Sequence, residues 1–128
     1  ASSAVRLAEL AIGRGPVVIA PVVARKIGVS ALSDLSLQPK IWKDANWALT
    51  NGLFNEVCQD FKSLENTVKD ITNQLVKYAP EAVSELKKTL WSNTDHWEKL
   101  LPENAEISGR LLLLPETQKV LEKLKHKR

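Results

Sequence analysis

From Phe61 through Leu64, Val68 and Ile71 to Leu75, apolar residues recur at spacings of three and four, with Lys62, Glu65, Lys69 and Asp70 between them. That stripe is the mark of an amphipathic helix. Asp60 stands in the position that caps its first turn. A second helix is expected to open at Pro80, with Val83, Leu86 and Leu90 inward and Glu81, Glu85, Lys87 and Lys88 outward. After a break near Ser92 to Thr94, a long helix from about Thr94 to Leu113 carries Trp97, Leu100, Leu101, Ile107 and Leu111. Pro115 starts a tail helix that buries Val120, Leu121 and Leu124.

The first half is shorter in its rhythm. PVVIAPVVARKIG predicts a helix ending at Ile27 with Gly28 as its stop, starting either at Pro16 with a kink or after Ala20 without one, because an interior Pro21 clashes with the preceding turn. VSALSDLSL predicts a short helix stopped by Pro39. KDANWALTNG predicts another, with Asp44 near its start and Asn51 and Gly52 as its exit. Residues 53 to 57, LFNEV, read as a brief strand. The opening ASSAVRLAEL fits either a short strand around Val5 to Leu10 or a frayed helical turn. The expected fold is mainly α, orthogonal helices with one or two short strands. Two strands make a marginal sheet by themselves.

Composition narrows the partners. A chain of 128 residues, 44% hydrophobic and 26% charged, is one domain's worth of globular sequence. No apolar run approaches the roughly 20 residues that span a bilayer, and no basic region precedes an apolar one at the N-terminus. The expectation is a soluble, unexported protein with no membrane partner. Cys58 is the single cysteine; it has no disulfide or zinc partner, which fits a reducing, cytoplasmic compartment. No metal site is expected. The net charge of +3 is uneven: the final ten residues, KVLEKLKHKR, carry +4, leaving −1 for the rest. Without basic residues spread over a face, nucleic acid is not expected as a partner. The tail is either a solvated helix end complementing the helix dipole or a contact for an anionic ligand such as phosphate.

Among chemical candidates, His96 and Cys58 lack spaced partners, and Trp42, Trp47, Trp91 and Trp97 are expected to pack in the core. Glu9 lies in the apolar run LAELAIG, ahead of the turn formers Gly13, Gly15 and Pro16. By itself it reads as a solvated acid near a chain end.

The order of these motifs adds more. Glu9-Leu-Ala-Ile-Gly13 with a proline three residues on, Arg25-Lys-Ile-Gly28, the SALSDLSL and DANWALTNG helices and the GLFNEV segment together resemble the second half of the enoyl-CoA hydratase/isomerase (crotonase) superfamily. The tail ETQKVLEKLK is similar to that family's acidic-start ending. Ala8 stands where the family usually has proline, Ile19, Ala20 and Pro21 replace its Gly-Gly pair, and Leu124 and His126 replace its common Arg and Pro. The family's first half, with its oxyanion-hole amides and Gly-rich run, has no counterpart in the chain.

The resemblance implies the C-terminal part of an α/β crotonase (ClpP/crotonase-like) fold. Residues 1–58 would end the catalytic core, and residues 59–128 would form a helical oligomerisation and CoA-binding domain. It also implies a full-length lyase or isomerase acting on acyl-CoA thioesters in fatty acid metabolism. That enzyme would need no cofactor, coenzyme A being part of the substrate, and would assemble as a homo-oligomeric trimer or dimer of trimers. The 128-residue chain alone would be inactive. In that reading Glu9 is one of two catalytic glutamates. Lys123, with Lys125 and Lys127 as helpers, contacts the phosphates or adenine end of CoA. The competing expectation is a freestanding helical interaction module that docks its faces around Leu64 to Leu75 and Leu100 to Leu111 on a partner.

Overall fold

The computed structural model describes residues 3–126. The strand expected around Val5 to Leu10 is displaced and shortened, and the alternative helical turn is the one that forms within that range. Strand β1, Ala4–Val5, is followed by a 3-10 turn at Glu9–Ile12. Helix α1 spans Ala20–Leu37 with Pro21 in its first turn, so the helix begins without the proline kink. Its two halves meet at Gly28, whose φ of 75° and ψ of 164° lie in a region open essentially to glycine alone. The stop signal at Ile27 and the separate SALSDLSL helix are therefore both present, joined end to end.

Strand β2, Lys43–Asp44, pairs antiparallel with β1, Ala4 opposite Asp44 and Val5 opposite Lys43. The brief strand expected at 53–57 does not form, and the reason is local. The amides of Leu53 and Phe54 both donate to the Ala48 carbonyl at 2.8 and 3.0 Å, wrapping the end of the preceding helix instead of extending into a ladder. Helix α2, Ala45–Thr50, is capped by Asp44, whose carboxylate accepts from the Trp47 amide at 2.7 Å.

Helices α3 (Phe61–Leu75), α4 (Pro80–Leu90), α5 (Trp97–Leu112) and α6 (Pro115–Lys125) follow. Asp60 caps α3 in a reciprocal box: its side chain accepts from the Ser63 amide, and the Ser63 hydroxyl oxygen accepts from the Asp60 amide. The carboxyl of Asp60 is held below its ordinary value, chiefly by the hydrogen bond from the Ser63 backbone.

The core is small. Val23, Ala31 and Leu35 of α1 and Ala45 and Ala48 of α2 are its buried apolar side chains among the described residues. Asp34 ties this layer together, accepting from Lys43 Nζ at 2.8 Å, Trp47 Nε1 at 3.1 Å and Gln38 Nε2. The helical stripes read from the sequence exist but are uncovered: α3, α4 and α5 bury no residue fully. On α3, Phe61 is 74% exposed and Ile71 52%. Leu86, Leu90 and Leu124, expected inward, are also exposed. The tryptophans depart from core packing as well. Trp42 and Trp91 are exposed, and Arg6, Lys43 and Arg25 lie over the rings of Trp42, Trp47 and Trp91 at 4.4, 5.7 and 5.7 Å from their centroids. Trp91 also meets the Trp97 ring edge-to-face, with centroids 6.2 Å apart.

Candidate active site

The segment after β1 runs from Leu7–Ile12 straight into Gly13, Gly15 and Pro16, the residues that turn it. Glu9 opens the 3-10 turn, and Gly13 ends it in the left-handed region at φ 82°, donating its amide to the Leu10 carbonyl at 3.2 Å. Two distant helices fix this turn. Thr117, in the first turn of α6 and 1% exposed, donates its hydroxyl to the Gly13 carbonyl at 2.8 Å. Asn104 of α5 donates its amide nitrogen to the Val17 carbonyl at 2.9 Å. The approach of α6 is close enough that a β-carbon on Gly13 would stand 2.6 Å from Thr117 Oγ1. Glycine is needed there both for its backbone and for its missing side chain.

Held in this way, Glu9 lines a cleft of about 160 Å³ together with Arg14, Gly15, Pro16, Val18, Ile19 and Ser108. Glu9 is half-buried. A carboxyl group beside a short apolar wall can exchange a proton with a small bound molecule, which is the minimum for general acid or base work. Arg14, Ser108, Asn104 and Thr117 were not singled out by sequence. Of these, only Arg14 carried a local signal, being the charged residue between Gly13 and Gly15.

The basic tail lies on the same helix that supports the turn. Lys123 and Lys125 are exposed on α6. Lys123 lies six residues beyond Thr117, about 9 Å along the helix axis. Lys127 falls outside the described residues. The structure thus connects the Glu9 turn to the helix carrying Lys123 through one buried hydrogen bond. Among the described residues, no hydrogen bond or ion pair joins Lys123 or Lys125 to the cleft itself. A larger cavity of about 520 Å³, lined by Ala45, Phe54, Val57, Phe61 and Leu64, holds none of the expected site residues. Cys58 borders it, with Sγ 3.8 Å from Thr67 Oγ1 and 4.0 Å from Glu56 Oε1.

The chain's backbone superposes on a crystal structure from Acinetobacter baumannii of a protein provisionally assigned as an enoyl-CoA hydratase/isomerase, with a TM-score of 0.73 and 20% sequence identity. The match covers 87% of this chain and 46% of that one. The fold is that of part of a crotonase-type protein. Among the described residues, two short strands and six helices therefore form a coherent piece of the crotonase fold. The chain spans about half the length of the solved protein it matches. No family model and no curated protein matches the sequence.

Proposed function

We propose that the chain is the C-terminal half of an enoyl-CoA hydratase/isomerase family enzyme, acting on acyl-CoA thioesters by adding water across the 2,3 double bond or moving that bond. The observation that carries this reading is the placement of Glu9. The acid that the sequence resemblance assigns to catalysis stands at a cleft, on a turn immobilised by Gly13, Thr117 and Asn104, within a crotonase-type fold.

In this mechanism the Glu9 carboxyl delivers a proton to the α-carbon, or holds the attacking water, while negative charge on the thioester oxygen is met by backbone amides from the preceding half. The second glutamate also belongs to that half. Lys123, with Lys125 and Lys127, supplies ammonium groups for the nucleotide phosphates. The uncovered faces of α3 to α5 support a homo-oligomeric assembly, in keeping with a trimer or dimer of trimers, and we place the enzyme in the cytoplasm. The larger assembly would complete the site, since the described chain holds one of the two acids.

Steady-state hydration of crotonyl-CoA and longer enoyl thioesters by the full-length protein tests the reading. Glu9→Gln keeps the shape and removes the proton, and is expected to lower kcat at least about 100-fold while leaving thioester affinity within about threefold. Wild-type turnover in that variant would remove Glu9 from the chemistry. A full-length protein that binds no CoA thioester, yet captures a partner through α3, would favour the helical interaction module instead.

A further inference from the structure

The geometry points to an acyl group that ends in a carboxylate, recognised by Arg14. This inference rests on reading the Glu9 cleft as the acyl site and specifies what that site selects. Arg14 is the one cationic residue lining the cleft, opposite walls made by Pro16, Val18 and Ile19. Its Nε is buried and has no hydrogen-bond partner among the described residues. Nor does Arg14 join any of the three ion pairs among those residues, Lys43–Asp34, Lys88–Glu85 and Lys99–Glu103. Glu9 shares the cleft but is not within ion-pair distance of the guanidinium, so it does not neutralise it.

A buried, unpaired guanidinium nitrogen is costly and is normally satisfied. The cleft is open and of mixed polarity, so water competes for the guanidinium, and a carboxylate outdoes it by meeting the planar fork with two parallel charge-assisted hydrogen bonds. Size agrees with this. A cavity of about 150 Å³ holds a benzene-sized group of six heavy atoms, and the cleft measures about 160 Å³. A three-carbon spacer ending in a carboxylate also has six heavy atoms beyond the thioester carbonyl. The substrate class is therefore a short ω-carboxyacyl thioester.

Calorimetric binding to the full-length protein separates the possibilities, using two unreactive probes, glutaryl-CoA and its uncharged counterpart butyryl-CoA. The expected result is at least tenfold tighter binding of glutaryl-CoA by the wild type. Arg14→Ala should abolish that preference, and Arg14→Lys, which keeps the charge without the fork, should restore part of it. Butyryl-CoA affinity should stay within about twofold in all three proteins, which also reports that the variants are folded. Equal affinity of the wild type for both probes, or equal weakening of both by Arg14→Ala, overturns the inference. Loss of crotonyl-CoA turnover in Glu9→Gln is read separately, so the reaction can stand while the carboxylate preference falls. If neither probe binds, both fall together.

Discussion

Gly13→Ala is the most direct probe of how the fold holds Glu9. The substituted β-carbon would sit 2.6 Å from Thr117 Oγ1, 3.0 Å from its Cα and 3.1 Å from its Cβ, with the backbone held at φ 82°. A left-handed alanine costs about 1–2 kcal/mol. Pushing Thr117 off the Gly13 carbonyl leaves its buried hydroxyl without an acceptor, a further 1–3 kcal/mol or so. The two are partly alternative, since the turn can relax by giving up the hydrogen bond, so the sum is about 2–4 kcal/mol. Against a typical total stability of roughly 5–15 kcal/mol, this is a large fraction. Urea unfolding of the full-length protein measures it, and a cycle with Thr117→Ala apportions it. Because the nearest clash is with Oγ1, removing that atom should cost less in the Gly13→Ala background than in the wild type, by about 0.5–2 kcal/mol. Activity should fall with Gly13→Ala beyond what unfolding explains, because Glu9 shares the turn. A Gly13→Ala protein within about 0.5 kcal/mol of wild type, with unchanged turnover, would refute the argument.

Lys123→Ala should raise KM for a CoA thioester several-fold at low salt with kcat unchanged, and should have little effect on a pantetheine thioester; equal losses with both would assign the lysine to folding or assembly. The lowered carboxyl of Asp60 contributes stability to α3 that is fully present above the unfolded value near 3.8 and is lost as pH falls through the lower folded value. Asp60→Asn should remove that pH dependence while keeping the cap, as read by amide exchange at Ser63 and Leu64; an unchanged profile would show that the acid transition lies elsewhere. Finally, the accessible surface is 9764 Å², against about 6,800 Å² expected for a compact monomer of this mass. The excess is surface that further structure must cover, either the rest of a longer chain or a second copy; sedimentation of the full-length protein as an oligomer at micromolar concentration is the expected outcome, and a stable monomer would assign the cover to the longer chain.

The helices were legible because their signals are local. Asp60 with Ser63, Asp44 before α2, Pro21, Pro80 and Pro115 in first turns, and Gly28 as a break all act within a few residues of themselves. Burial was not legible in the same way. A stripe such as Phe61 to Leu75 declares a face that wants covering but does not say whether this chain supplies the cover. The segment 53–57 departs from the expected strand because a short run such as LFNEV extends only if a neighbouring strand is free to pair, and the amides of Leu53 and Phe54 are taken by the Ala48 carbonyl. Glu9 could be singled out only through resemblance. Its supports, Thr117 and Asn104, come from more than 85 positions away (87 between Val17 and Asn104), beyond any periodic pattern.

The contact between Arg25 and the end of α4 has a consequence for how this chain opens. Arg25 donates to the carbonyls of Leu90 and, at 3.3 Å, Ser92, the groups that a helix C-terminus leaves free. Neither α3 nor α4 buries a residue in the core. In the isolated chain, then, this pair of helices hangs on a polar latch worth about 1–2 kcal/mol more than on packing. A latch of that strength leaves the segment free in roughly 3–15% of molecules. Its leucine stripe is exposed with the latch closed as well as open, so whatever covers that stripe governs how often a protease or an aggregating neighbour finds it.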